Sequence, residues 1–518
     1  MADLQLIQNG FLNLHFQNQP YSRMNLKKIL FYFFITVCIS VSCKNGIQVG
    51  TEELPIIQKA LNDSSSNYYG FFSQYGQDLS DLPIGVFDSG TGGLTVLEKL
   101  ITLDHYDNIT GRREGDEIYD FAGESFIYFA DMANMPYGRY EEEGRREYLE
   151  ELAVKDALFL TGDRYYINAG EISPSGRKPR VKIIVIACNT ATAYGYGHIS
   201  RMLEKSNTGV KVIGVIPAGV RATFDALKAK QVKSPVAIGV LATPGTIASG
   251  AYQKEIEKVA KERGMDVTVV NQSGYGLAEA VDTDPDFVNR SLFAVRDSYR
   301  GPRIGKGEDS LDIDILNLYN FEFKDNDILY KQDGYGDYTD IQLNSAANYA
   351  RFNLVSLIEK HRQSGSKVPL KAVILGCTHY PFVIETLNDV ISEMRHKRVR
   401  GQYPYLDLIA EDFEFIDPAL YTAIECYQTL RDDHNLALNI GATEASAYIS
   451  VPSADLSPEF LAPDGGLTYD FKYGRITGSE IITTKAVPFS FSNIDEQTLL
   501  RIEQKLPYSY SLIYPTLH

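Results

Sequence analysis

Four times along the chain, a nearly continuous apolar run stops abruptly at small and polar residues. The first is Pro83-Ile84-Gly85-Val86-Phe87, followed by Asp88-Ser89-Gly90-Thr91-Gly92-Gly93. The second runs from Val181 to Ile186 and ends in Ala187-Cys188-Asn189-Thr190. The third, Val236 to Leu241, ends in Ala242-Thr243-Pro244-Gly245-Thr246, and the fourth, Leu370 to Leu375, in Gly376-Cys377-Thr378-His379-Tyr380-Pro381. Runs this rich in β-branched residues suit strands buried on both faces, as in the middle of a parallel sheet. Helical spacing fills the gaps between them, for example over residues 94–103 and 250–263. The alternation predicts an α/β fold with doubly wound sheets. Ligands in such sheets bind beyond the carboxyl ends of the strands. Asp88, Cys188, Thr243 and Cys377 all stand there.

The order of these blocks repeats: a turn of small residues, then a strand ending in cysteine, then the same pair again. This predicts a divergent internal duplication, with two similar α/β domains facing each other across a cleft. Cys188 and Cys377 would then lie on opposite walls. Any large α/β protein contains several such strand ends, which accounts for the runs but not for the matched placement of the cysteines.

A different pattern occupies residues 24–43, MNLKKILFYFFITVCISVSC. Lys27 and Lys28 precede an apolar stretch from Ile29 to Val41, which has the length of a signal-peptide core and is too short to span a membrane. Ser40-Val41-Ser42-Cys43 is similar to a relaxed bacterial lipobox, with Ser40 where leucine is usual. The expectation is an exported lipoprotein anchored to the membrane, on the periplasmic side, through Cys43. The alternatives are a buried helix in a cytoplasmic protein and a signal without a lipid. Residues 44–80, with Asp63-Ser64-Ser65-Ser66 and several glycines, read as a solvated linker.

The net charge of −17 makes nucleic acid an unfavourable partner. The five cysteines, Cys38, Cys43, Cys188, Cys377 and Cys426, form no CxxC pair and fit no zinc spacing. They are too few for a disulfide scaffold in a chain of 518 residues. Cys426 falls in a helical run, residues 421–430, and reads as core. A single buried cysteine is ordinarily a small hydrophobe. A matched pair across a cleft has a chemical use.

Inverting an α-carbon requires taking its proton from one face and returning one to the other. A thiol suits both jobs because its pKa lies near working pH and responds to its neighbours. Asp88 ends a strand in the same half as Cys188, and His379 lies two residues past Cys377, so each thiol has a candidate helper. Glu279 is a candidate carboxylate to hold the imidazole. The turn Gly90-Thr91-Gly92-Gly93 offers backbone N–H groups to an anion. Asn189, Thr190 and Thr378 could bind the carboxylate and ammonium of an amino acid.

These residues resemble the aspartate/glutamate racemase family, glutamate racemase in particular. The resemblance rests on residues 85–93, Tyr128-Phe129-Ala130-Asp131 with Pro136-Tyr137-Gly138, residues 187–191, Gly214-Val215-Ile216-Pro217, residues 242–247 with Ser249, residues 375–381 and Phe415-Ile416-Asp417, in the family's order. It covers roughly residues 82–435. It implies two α/β domains with pseudo-two-fold symmetry, an active site in the cleft between them, a small amino-acid substrate, no cofactor, and an assembly that can include a homodimer. It makes Cys188 and Cys377 the bases, with Asp88 and His379 assisting. Ser89, Tyr137, Gly138, Asn189, Thr190 and Thr378 become substrate-binding residues, and Glu279 takes the place of the family's histidine partner. The resulting domain plan is a signal and extension over 1–43, a linker over 44–80, a first domain over 81–220 with a return segment at 385–480, a second domain over 221–384, and a C-terminal extension over 481–518. Three segments look inserted, at about 104–125, 161–179 and 283–345. The last is acidic and tyrosine-rich and could cover the cleft or face a partner.

Overall fold

The apolar runs form the two sheets. A computed structural model describes residues 53–437 and 443–514. The first sheet is built on β1 (Ile84–Asp88), β2 (Ser125–Ala130), β5 (Ile183–Ile186) and β6 (Lys211–Gly214), parallel and in the order β2-β1-β5-β6. The second contains β7 (Val236–Ala242), β8 (Val267–Ser273), β11 (Leu370–Gly376) and β12 (Ile409–Ile416), also parallel, in the order β8-β7-β11-β12. Both sheets thus use the same winding, with their first strand flanked by the second and third. Every residue of β1, β5 and β7 is buried, as expected of central strands covered on both faces.

The crossing between halves departs from the expected plan. Helix Val215–Ala229 packs Val220, Phe224 and Leu227 against β7 residues Val236, Ile238 and Val240, so the second half begins before residue 221. The return comes later than residue 385. Helix Ile384–Arg395 buries Leu387, Val390 and Met394 in the second half, and β12 pairs with β11. Only with helix Pro418–Asp432 does the chain rejoin the first core, through Ala419, Ala423 and Leu430. Cys426 is buried there, as expected.

Two segments expected to be peripheral are core. Within the expected linker, helix Pro55–Asn62 buries Ile56, Ile57 and Ala60 on the first domain, and Lys59 pairs with Glu480 at 2.6 Å. The apolar face of one short helix outweighs the polar composition that follows it. Strand β13 (Glu444–Pro452) adds to β2 in parallel, and β14 (Thr484–Pro488) adds antiparallel to β13. The C-terminal helices Glu496–Lys505 and Pro507–Ile513 then bury Leu499, Ile502 and Ile513 in the same core. Residues 484–513 therefore belong to the first domain.

The insertions are structured. Residues 161–179 carry a small hairpin, β3 (Arg164–Tyr165) with β4 (Gly176–Arg177), and Tyr166 N donates to Ala486 O of β14 at 3.0 Å. In the 104–125 segment, Tyr106 stacks on Tyr427 at 4.7 Å. The 283–345 segment packs Phe287, Tyr299, Leu318, Ile328 and Leu343 onto the second core and carries hairpin β9 (Ile328–Gln332) and β10 (Tyr338–Leu343). Arg300 also lies over the Tyr469 ring, 4.4 Å from its centroid, so this insertion touches the first domain. Among the described residues no helix is long and apolar enough to cross a membrane. The signal-like segment and Cys43 lie outside the described residues.

Candidate active site

Strand register brings the chemistry together. Phe87 of β1 pairs with Ile186 of β5, so Asp88 and Cys188 emerge from adjacent strand ends. Ala242 of β7 pairs with Gly376 of β11, so Thr243 and Cys377 emerge together from the second sheet. All four line one cavity of about 60 Å³. Ser89, Tyr137, Gly138, Asn189, Thr190, Thr378, His379 and Glu279 line it too. The two halves meet closely there: a Cβ on Gly245 would come within 2.7 Å of the Gly138 carbonyl oxygen, which excludes a side chain.

Cys188 is the N-cap of helix Asn189–Ser206, and its sulfur accepts the Ala191 N–H at 3.4 Å. A helix N-terminus favours a thiolate. The Cys188 thiol also reaches Ser89 Oγ at 3.6 Å. Burial, and then the nearby Asp88 carboxylate, outweigh these contacts and push the Cys188 thiol well above its ordinary range. Burial also raises Asp88, against the pull of His379 and of the Gly93 N–H, which donates to its Oδ2 at 2.6 Å. That bond corrects one expectation, because the Gly93 donor of the glycine turn serves the protein's own carboxylate. Thr378 crosses from the other half to donate to the same Oδ2 at 3.4 Å.

On the facing wall, the Cys377 sulfur is 3.6 Å from His379 Nδ1. The expected partner of the imidazole was Glu279; the structure supplies Asp282 instead. Its Oδ2 lies 2.8 Å from His379 Nε2, a charge pairing in which the ring N–H is not aligned for a linear hydrogen bond. Glu279 lies in the first turn of a short helix, Leu277–Val281, and Asp282 caps its end, one turn nearer the imidazole. Burial alone would lower His379, but Asp282 prevails and holds the imidazole proton well above the ordinary histidine range. Asp282 is correspondingly lowered, because His379 and Arg501 together outweigh its burial. Glu279 stays on the cavity wall, where burial pushes it up to about 7 against its own backbone N–H and Arg139.

The polar lining is partly committed already. The Tyr137 hydroxyl bridges Asp131 at 2.5 Å and Asp156 at 2.8 Å, and the residue lines the cavity. Asn189 Oδ1 accepts from Tyr252 at 2.5 Å, which leaves the amide N–H groups to the cavity. Thr190 Oγ1 meets Thr243 at 2.9 Å and Thr246 at 3.0 Å across the two halves. Sequence reasoning missed Asp282, Arg139 and Arg501. Arg139, directly after the Pro-Tyr-Gly motif, is the one guanidinium among the lining residues. Among the described residues no group of three or more His, Cys, Asp or Glu could hold a metal ion.

The chain is similar to known proteins. No protein-family model matches the chain. It is 32% identical over 226 residues to a glutamate racemase of Lactobacillus helveticus, an alignment that takes in 42% of this chain and 65% of that protein. It is 32% identical to a glutamate racemase of Lactobacillus acidophilus, over 45% of this chain and 67% of that protein. A crystal structure of a glutamate racemase isoform from Bacillus anthracis matches 71% of this chain and 88% of that one, at 22% identity and a TM-score of 0.39. The chain belongs to the aspartate/glutamate racemase family, a family of amino-acid racemases.

Proposed function

We propose that the protein racemises an acidic amino acid, glutamate first, with two thiols and no cofactor. The observation that carries this reading is the placement of Cys188 and Cys377 at matched strand ends of two equally wound sheets, lining one cavity. Each has its own helper, Asp88 on one side and the His379–Asp282 pair on the other.

The raised Cys188 starts as the thiol. Cys377 then takes the α-proton, and the electron pair of the broken C–H bond passes into the substrate carboxylate as an enolate. The Cys188 S–H proton is delivered to the opposite face of the α-carbon. The proton gained by Cys377 and the one lost by Cys188 leave the pair reversed, ready for the other enantiomer. The imidazolium of His379 stands beside the Cys377 sulfur to hold its negative charge, and Asp88 orients the Cys188 S–H toward the α-carbon. Arg139 supplies a counter-charge for an acidic side chain. Aspartate, the shorter homologue, is the second substrate in the same reading.

The test is proton NMR of L- and D-glutamate, then L- and D-aspartate, in deuterated water with reduced enzyme. Deuterium entering the α-position, with both enantiomers converging on one mixture, is the expected result. A folded protein with free thiols that exchanges none of the four would leave a binding protein on a racemase scaffold. The lipid anchor at Cys43 is a separate part of the proposal, supported by residues 24–43. Intact-mass measurement of the membrane fraction should find a chain beginning at a diacylated Cys43. A soluble chain retaining residues 24–42 would overturn it.

A further inference from the structure

We infer that Arg501, on the C-terminal helix Glu496–Lys505, is a positioning residue for the acid/base group at Cys377, which makes the C-terminal helix pair part of the catalytic unit. The inference rests on the racemase reading for its kinetic test but on geometry for its argument.

Asp282 has two carboxylate oxygens, and each faces one cation. His379 Nε2 lies 2.8 Å from Oδ2, and Arg501 Nη2 donates to Oδ1 at 2.8 Å. The other arm of the guanidinium, Nη1, donates to the Val281 carbonyl at 2.6 Å. A planar fork that holds a carboxylate and the preceding carbonyl together fixes the carboxylate's rotation, which an ammonium group cannot do with one point charge. The guanidinium lies over Phe382, 5.4 Å from the ring centroid, and the Arg501 side chain is 18% exposed. It does not line the cavity, so its effect passes through Asp282 to His379 and from there to Cys377.

The fork is held from the other half of the molecule. Leu499 and Ile502 bury the helix in the first core. The next helix places its Ser509 N–H on the Glu98 carboxylate at 2.6 Å and its Ser509 hydroxyl on the Leu94 carbonyl at 3.3 Å. Those acceptors belong to helix Leu94–Ile101, which directly follows the Asp88 turn. Arg501 Nη2 also approaches Thr91 of that turn at 3.5 Å. One side chain therefore connects the turn that serves Asp88 to the carboxylate that serves His379.

The experiment compares Arg501→Ala, Arg501→Lys and, as a control on the exposed side of the same helix, Leu500→Ala in the full-length enzyme. Arg501→Ala should lower kcat for glutamate racemisation roughly tenfold, less than the about 100-fold or more of a lost acid/base group, because it acts through Asp282. KM should stay within about twofold, because the residue does not touch substrate. Added guanidinium should restore part of the lost kcat in Arg501→Ala, Arg501→Lys should remain impaired, and Leu500→Ala should match wild type. Wild-type kcat in Arg501→Ala overturns the inference. So does a loss that guanidinium leaves unchanged and that follows a lowered melting temperature, since that is a purely structural role.

A second readout needs no turnover. The ¹⁵N-labelled imidazole of His379 is faced by Asp282, Cys377 and Asp88, with Arg501 behind Asp282. Its titration should move in Arg501→Ala and not in Leu500→Ala; an unmoved titration overturns the inference. A wild-type enzyme inactive on every amino acid tried would bring down the racemase reading alone and leave this measurement to decide about Arg501.

Discussion

His379 Nε2 lies 2.8 Å from Asp282 Oδ2, and the two residues come from separate loops at the carboxyl edge of the second sheet. The pairing keeps a buried imidazole protonated beside the Cys377 sulfur, where burial alone would have discharged it. Replacing the carboxylate by its isosteric amide removes the charge and keeps the shape. Asp282→Asn should therefore lower kcat by about 100-fold, the lower end of the scale on which acid/base assistance acts. Glu279→Gln, which alters the residue that spacing alone would nominate, should cost less than about threefold on the same argument. Steady-state polarimetry on both variants separates the two carboxylates; a larger loss in Glu279→Gln would reverse the assignment.

The thiols make a sharper prediction. Removing one leaves the other able to take and return a proton on its own face of the substrate. Cys188→Ala and Cys377→Ala should each lose racemisation by about 1,000-fold or more. Each should still exchange the α-proton of a single enantiomer with solvent, and the two variants should choose opposite enantiomers. NMR in deuterated water reads both quantities at once. If both variants exchanged the same enantiomer, the thiols would not serve opposite faces.

Arg139 lines the cavity with its guanidinium 3.3 Å from Glu142, and it lies over the Phe287 ring of the 283–345 insertion. Arg139→Met keeps the length and removes the charge. The expected outcome is a KM for glutamate raised roughly tenfold, in line with one lost charge-assisted contact, and a kcat changed far less. A KM that does not move would take Arg139 out of substrate recognition.

The strand ends were legible because burial writes itself into sequence: a strand covered on both faces has to be apolar throughout, and the first polar residue after it marks the cleft. Asp88, Cys188, Thr243 and Cys377 all follow that rule. Asp282 was not legible, because Asp282-Thr283-Asp284-Pro285-Asp286 has the composition of a solvated loop, and its function depends on where a single helical turn points the first carboxylate. Arg501 was hidden for a different reason. It lies 219 positions from its partner, and no local pattern reports a contact of that range. Helix Pro55–Asn62 was concealed by the serines and glycines behind it, although Pro55 at its first turn and its apolar pair Ile56-Ile57 were signals for a packed helix.

The His379–Asp282 pair also sets a dependence of stability on pH. His379 is held well above its ordinary value in the folded protein, so between that ordinary value, near 6.5, and the folded one the native state binds a proton that the unfolded state releases. Its contribution is fully present below about pH 6.5 and declines as pH rises through the folded value. Asp282 is lowered, so its own contribution is present above its ordinary value of 3.8 and declines as acid protonates it. The pair stabilises most in the window between the two. His379→Gln removes the titrating ring and should be most destabilised relative to wild type at about pH 5–6.5, with the gap closing toward alkaline pH. Urea melts of both proteins at half-unit pH steps measure it. A gap that widened as pH rose would mean that the histidine is neutral in the folded enzyme, and that the imidazolium beside Cys377 is not there to hold its charge.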